Sequence, residues 1–187
     1  MEWRQFPTGG RAVLDACVLY PTILREVLLD VAGAGLFVPI WSARILGEWR
    51  HAAARLGPEG DAVAGAEIAQ ARARFPGAEV AADEGAAHDL PDPADRHVLA
   101  AALSARAGLI VTANLRDFPR RALVPEGVEA LHPDEFLTGL WRRDPDPVAG
   151  AVHAAHARAQ ALGGDMDLRA LMKRARLPRL ARALARG

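Results

Sequence analysis

Arg11-Ala12-Val13-Leu14-Asp15-Ala16-Cys17-Val18-Leu19-Tyr20-Pro21 is the stretch on which the fold turns. Ala12, Val13 and Leu14 form a short apolar run, as an interior parallel strand requires. Asp15 then falls where that strand leaves its sheet, the edge at which open parallel sheets collect ligands. A strand-end Asp can equally cap the next helix, so Asp15 alone decides nothing. The expectation is that Glu48, Asp95 and Asp117 converge on it from three other elements. Four carboxylates in one pocket require a cation, because like charges packed together cannot all stay ionised.

Working outward, Pro21 suits the first turn of a helix, and Ile23, Val27, Leu28 and Val31 continue at helical spacing until Gly33 and Gly35. Leu36 to Ile40 carries one proline and reads as an edge strand. Ser42 is placed to cap a helix reaching about Leu56, with Leu46, Trp49 and Ala53 inward and Glu48 beside that stripe. Gly57-Pro58 separates it from an Ala-rich helix over Glu59 to Phe75. Glu79 to Ala82 is a short strand, leading into an acidic loop that ends at Asp95. Asp92 and Asp95 are both placed to cap the helix Arg96 to Ala107. Gly108 and the buried strand Leu109-Ile110-Val111-Thr112 complete a crossover unit of an α/β sheet, with Asn114 and Asp117 emerging on the same edge as Asp15. Val128 to Leu131 is the last strand and Pro133 opens the next helix. Asp144-Pro145-Asp146-Pro147 reads as a linker to two further helices, Val148 to Leu162 and Leu168 to Leu184, the second interrupted at Pro178. Residues 1–10 read as an irregular leader with Trp3 and Phe6 docked on the body.

A chain of 187 residues with 51 % apolar content sustains a real core and argues against general disorder. Lys+Arg and Asp+Glu are both 23, so net charge is silent about polyanions, but their distribution is not. Acids alone occupy Glu79 to Asp95, and bases alone occupy Arg169 to Gly187, which suits a metal site that must attract a polyanion. The single cysteine, Cys17, excludes an intramolecular disulfide and fits a reducing cytoplasm. No signal peptide and no membrane-length apolar run is seen, so a soluble protein with no membrane partner is expected.

The order of the acids resembles the PIN domain, a family of metal-dependent ribonucleases. The segments that carry the resemblance are 13–21, Ile45-Leu46-Gly47-Glu48, Asp92 to Ala102, and Val111 to Phe118, and Leu131-His132-Pro133-Asp134-Glu135-Phe136-Leu137 also resembles the family's last strand-to-helix step. Together they span roughly Arg11 to Leu140, and four weak motifs in the right order are more specific than any one. The resemblance implies a three-layer α/β/α fold with a central parallel sheet at 11–143, plus a small helical C-terminal extension at 148–187. It also implies that Asp15, Glu48, Asp95 and Asp117 form a catalytic quartet. Asp15 and Asp95 would be the nearest metal ligands, with Glu48 and Asp117 completing the site partly through water. Thr112 and Asn114 match orienting polar positions, and Asp92 is either a supporting acid or a cap. Cys17 stands where the family often has Asn and reads as packing. Among bacterial members the similarity is to VapC-like toxins, which implies a cognate antitoxin and a homodimer as partners besides RNA.

Hard oxygen ligands favour Mg²⁺ or Mn²⁺, and no Cys/His set at zinc spacing exists. The family's chemistry is hydrolysis leaving a 5′-phosphate and a 3′-hydroxyl, with no side-chain nucleophile. Arg116, Arg120 and Arg121 flank Asp117, and Arg44 and Arg50 flank Glu48, giving five candidates for RNA phosphates. His97 reads as a helix-face residue, and His88 is left open. The basic C-terminal helices suit RNA, another subunit, an antitoxin, or simple packing on the core. Three rival functions follow from the same residues. A dehalogenase-type phosphatase needs a second acid where Cys17 stands. A PIN module with a vestigial site would only bind. A nuclease for structured DNA would carry larger insertions.

Overall fold

The computed structural model describes residues 6–83, 90–163 and 166–186. The sheet grows from β1 (Gly10–Leu14), whose Ala12, Val13 and Leu14 are wholly buried. Beside it lie β2 (Phe37–Ser42) and β4 (Leu109–Val111), flanked in turn by β3 (Glu79–Val80) and β5 (Glu129–Leu131). All neighbours are parallel, in the order β3-β2-β1-β4-β5. Val13 pairs with Ile40, Leu14 with Val111, and Val111 with Leu131, so the strand ends form one rim. Parallel strands demand crossover helices, and these cover both faces to give the expected three-layer α/β/α fold.

The helices in chain order are α1 (Ala16–Leu19), α2 (Thr22–Gly33), α3 (Ala43–Ala54), α4 (Pro58–Arg74) and α5 (Arg96–Ala105). They continue as α6 (Arg120–Leu123), α7 (Pro133–Arg143), α8 (Pro145–Ala161), α9 (Leu168–Arg174) and α10 (Pro178–Leu184). Helix α5 packs on β1, β2 and β4, α2 packs on β2, and α8 lies against α2 and α7. Phe136 of α7 meets Phe37 edge to face at 5.0 Å and Phe6 at 6.0 Å, so Phe6 is docked as expected. Trp3 lies outside the described residues. Trp41 and Trp49 are both buried, as packing required.

Four local expectations are corrected. A one-turn helix, α1, intervenes between Asp15 and Pro21. The strand containing Pro39 is interior rather than at the edge. Pro39 is tolerated there because β3 is only two residues long and pairs with Trp41 and Ser42, beyond the proline. The expected linker shrinks to Asp144, which both ends α7 and precedes α8, because Pro145 serves as a helix-opening residue. The last helix is two: the chain breaks after Arg174, turns through Arg176 at φ 57°, and restarts at Pro178.

One buried cation fixes the segment after Asp15. Arg25 of α2 is 4 % exposed. It donates to the carbonyls of Leu19 (2.7 Å) and Tyr20 (3.2 Å), pairs with Glu67 of α4, and lies 4.7 Å over the Trp49 ring. A buried guanidinium is tolerable only with its donors satisfied, and here it ties α1, α3 and α4 together.

Candidate active site

Because Leu14 and Val111 are register partners, Asp15 and Thr112 leave the sheet side by side, and the Asp15 amide donates to the Val111 carbonyl at 3.1 Å. Asp15 precedes α1, yet its side chain makes no capping bond. Instead Oδ2 accepts from Thr112 Oγ1 at 2.7 Å and from Cys17 Sγ at 3.0 Å. No bond falls on Oδ1 among the described residues, which leaves that oxygen for a ligand. Thr112 Oγ1 also accepts from the Asn114 amide at 3.0 Å, and the Ala113 amide donates to Cys17 Sγ at 3.2 Å. Burial, then the Asp15 charge, push the Cys17 thiol up to about 12, so it stays protonated and acts as a donor. Cys17 is therefore more than packing: it helps aim the Asp15 carboxylate. The sequence carried one signal for this, a polar-capable side chain two residues past the strand-end acid.

The Asn114 side-chain amide donates to the Asp117 carboxylate, drawing the turn after β4 toward the rim. Asp92 behaves as a cap, its Oδ1 accepting from the Ala94 amide at 2.8 Å to begin the 3₁₀ turn Pro93–Asp95. Asp95 makes no capping bond. Its carboxyl is pushed up to about 6, chiefly by burial, then by the charges of Asp117, Asp15 and Asp92, with His97 working the other way. Asp15, which follows β1, and Asp117, which follows β4, thus act on Asp95 at the start of α5.

Glu48 stands on α3, whose start is fixed by Ser42 Oγ accepting from the Ile45 amide at 3.2 Å. Its carboxylate is engaged by cations: Oε1 lies 3.7 Å from Arg44 Nε and 3.3 Å from His97 Nε2. The His97 contact has ion-pair distance without good hydrogen-bond alignment, leaving Nε2 otherwise unsatisfied. His97 is not a surface residue of its helix. It is 1 % exposed, with Nδ1 bonded to the Ala94 carbonyl at 2.7 Å. Burial is the largest influence and opposes its charge, but Glu48 and the Ala94 carbonyl together raise its pKa overall. Nothing in the Ala-rich run around His97 announced this, because its partner comes from a helix about fifty residues earlier.

In chemistry the donors fit a hard divalent cation, with carboxylate oxygens, no thiolate, and mutual repulsion that a cation would relieve. As placed, no three His, Cys, Asp or Glu side chains among the described residues stand close enough together to hold an ion.

Arg116, Arg120 and Arg121 are exposed and form no ion pair among the described residues. Arg44 is tied to Glu48 and to the Ala94 carbonyl at 3.2 Å. Arg50 makes a two-pronged bond to Asp61 of α4, both contacts 2.8 Å. His88 lies outside the described residues.

A family profile described as "PIN domain" matches residues 11–116. The chain belongs to the PIN domain family. The matched span contains Asp15, Glu48, Asp95, Thr112 and Asn114 and stops one residue short of Asp117. A Mycobacterium tuberculosis protein named "Putative ribonuclease VapC50" is 63 % identical over 43 residues, 23 % of this chain and 25 % of that protein. The similarity therefore spans about a quarter of that relative's length. No solved structure matches the chain.

Proposed function

We propose that this PIN domain protein is a metal-dependent endoribonuclease that hydrolyses RNA phosphodiester bonds, and that it serves as the toxin of a toxin–antitoxin pair. What supports the nuclease reading is the PIN domain match together with Asp15 leaving β1 hydrogen-bonded to Thr112 at 2.7 Å and Asp117 held by Asn114 just past β4 on the same edge of the sheet. Asp15 and Asp95 would hold Mg²⁺ or Mn²⁺ most directly, with Asp117 and Glu48 completing the set. The cation, when bound, supplies water activation and charge stabilisation at the scissile phosphate. Thr112 and Cys17 fix the Asp15 carboxylate, Asn114 fixes Asp117, and Arg44 with His97 holds the Glu48 carboxylate. Hydrolysis would leave a 5′-phosphate and a 3′-hydroxyl. Residues 11–143 would form the nuclease and 148–187 a helical extension of it.

The VapC likeness of the partial relative supports the toxin role and an antitoxin partner. A cytoplasmic site of action goes with that toxin role; separately, among the described residues no helix is long and apolar enough to cross a membrane. A fluorogenic RNA titrated with Mg²⁺ and Mn²⁺, beside DNA of the same sequence, tests the reading. Metal-dependent RNA cleavage abolished in Asp15→Asn, with the melting curve retained, is the expected result. Equal activity of Asp15→Asn and the parent would refute the site, and metal-independent RNA binding without cleavage would leave a binding module instead.

A further inference from the structure

The turn between α9 and α10 is built into the rim that carries the acids. Asp134, at the start of α7 and 4 % exposed, accepts from the Arg179 amide (3.1 Å to Oδ1, 2.9 Å to Oδ2) and the Leu180 amide (3.0 Å). Asp134 lies three residues past Leu131, whose carbonyl accepts from the Thr112 amide at 3.0 Å, and Thr112 is the partner of Asp15. At the other side, Arg174 and Ala175 border a cleft with Tyr20 and Pro21, the residues that follow α1. Arg176 and Arg179 act on the ionisation of His132, the residue that leaves β5 next to Thr112, alongside Asp134 and Glu135. The junction thus lies between the start of α7, just past β5, and the step from α1 to α2.

Its side chains are sorted by direction. Ala175, Leu177 and Leu180 are buried and pin the turn, while Lys173, Arg174, Arg176 and Arg179 are exposed. Arg179 shares Glu135 at 3.2 Å, whereas Lys173, Arg174 and Arg176 form no ion pair among the described residues. No acid occurs between Leu168 and Gly187. A face for a protein partner normally presents apolar anchors at its centre. In the turn itself Ala175, Leu177 and Leu180 point inward, and every exposed side chain from 173 to 179 except Pro178 is a cation, which is the pattern for tracking a phosphate backbone.

We propose that Lys173, Arg174 and Arg176 form a strip that binds the phosphates of single-stranded RNA leading to the acidic site, extending the surface begun by Arg116, Arg120 and Arg121. The inference rests on the ribonuclease reading for its choice of polyanion. Each phosphate contact on a single strand contributes about 0.7 to the slope of log affinity against log salt. The test is equilibrium binding of a fluorescent, unstructured RNA oligonucleotide across a salt series, with Ca²⁺ replacing Mg²⁺, for the parent and for Lys173→Gln/Arg174→Gln/Arg176→Asn. Asn is chosen at 176 because it tolerates the positive φ there. The expected result is a slope shallower by about 2 and, at moderate salt, affinity weaker by about tenfold.

The charge-keeping variant Lys173→Arg/Arg174→Lys/Arg176→Lys should restore both. If the neutral triple variant unfolds, the single Arg174→Gln, on an exposed helical position, should still flatten the slope by about 0.7. A parent that cleaves RNA with Mg²⁺ while the neutral variant keeps the same slope and affinity overturns the strip alone. A parent that binds with a slope dependent on these residues but never cleaves overturns the nuclease and keeps the strip. Loss of an acidic protein partner with an unchanged RNA slope also overturns the strip.

Discussion

Replacing Asp95 with Asn should stabilise the metal-free protein while destroying its response to metal. In the free protein the Asp95 carboxylate is penalised by burial and by Asp117, Asp15 and Asp92, and it makes no capping bond that Asn would forfeit. Moving a carboxyl from its ordinary 3.8 to about 6 corresponds to at most about 3 kcal/mol, and solvent screening at this half-open position lowers that to about 1–2 kcal/mol. For a chain of this size the gain is roughly 3–6 °C in Tm at pH 8 in EDTA. The sign follows from proton binding. Between pH 3.8 and about 6 the folded parent holds a proton that the unfolded chain has released, so the parent loses stability as pH rises through that window. The advantage of Asp95→Asn should therefore be full above about pH 7 and vanish near pH 4. Adding Mg²⁺ should raise the parent's Tm by mass action and leave the variant unmoved. Differential scanning fluorimetry at pH 4, 6 and 8, with EDTA or Mg²⁺, reads all three effects. A variant that melts below the parent in EDTA at pH 8, or gains equally from Mg²⁺, would show that Asp95 is an ordinary helix-start residue.

Three other substitutions probe the supports of the site. Cys17→Ala should lower Mg²⁺ affinity or cleavage by about tenfold through loss of a donor to Asp15, and Cys17→Ser should restore most of it; equal activity of the two would reduce Cys17 to packing. His97→Gln should flatten the pH dependence of stability, because the raised His97 gives stabilisation that is full below its ordinary 6.5 and is lost as pH climbs through the higher folded value. Urea melts at pH 6 and pH 8.5 would expose an unchanged slope if Glu48 were irrelevant to it. Asp134→Ala removes the acceptor of two helix-start amides and should cost about 2–3 kcal/mol, concentrated in the C-terminal helices; limited proteolysis should then cut near Arg174 to Arg179 before the sheet and its covering helices open, and uniform cleavage would contradict that.

The sequence by itself determined the parts of this protein that depend on local pattern. The apolar run ending in Asp15, the Ser42 cap that launches the Glu48 helix, and the strand that delivers Thr112, Asn114 and Asp117 follow from strand burial, capping and turn chemistry. Those rules act over a few residues, so a linear string reveals them. Tertiary structure decided which polar groups meet. It turned Cys17 into a thiol donor beneath Asp15, buried His97 against Glu48, gave Arg50 to Asp61, and reduced the expected linker to Asp144. It also fastened the α9–α10 turn to the rim through Asp134. Each of these depends on a partner many positions away, and a side chain's charge and exposure are set by its neighbours in space, which spacing along the chain does not encode.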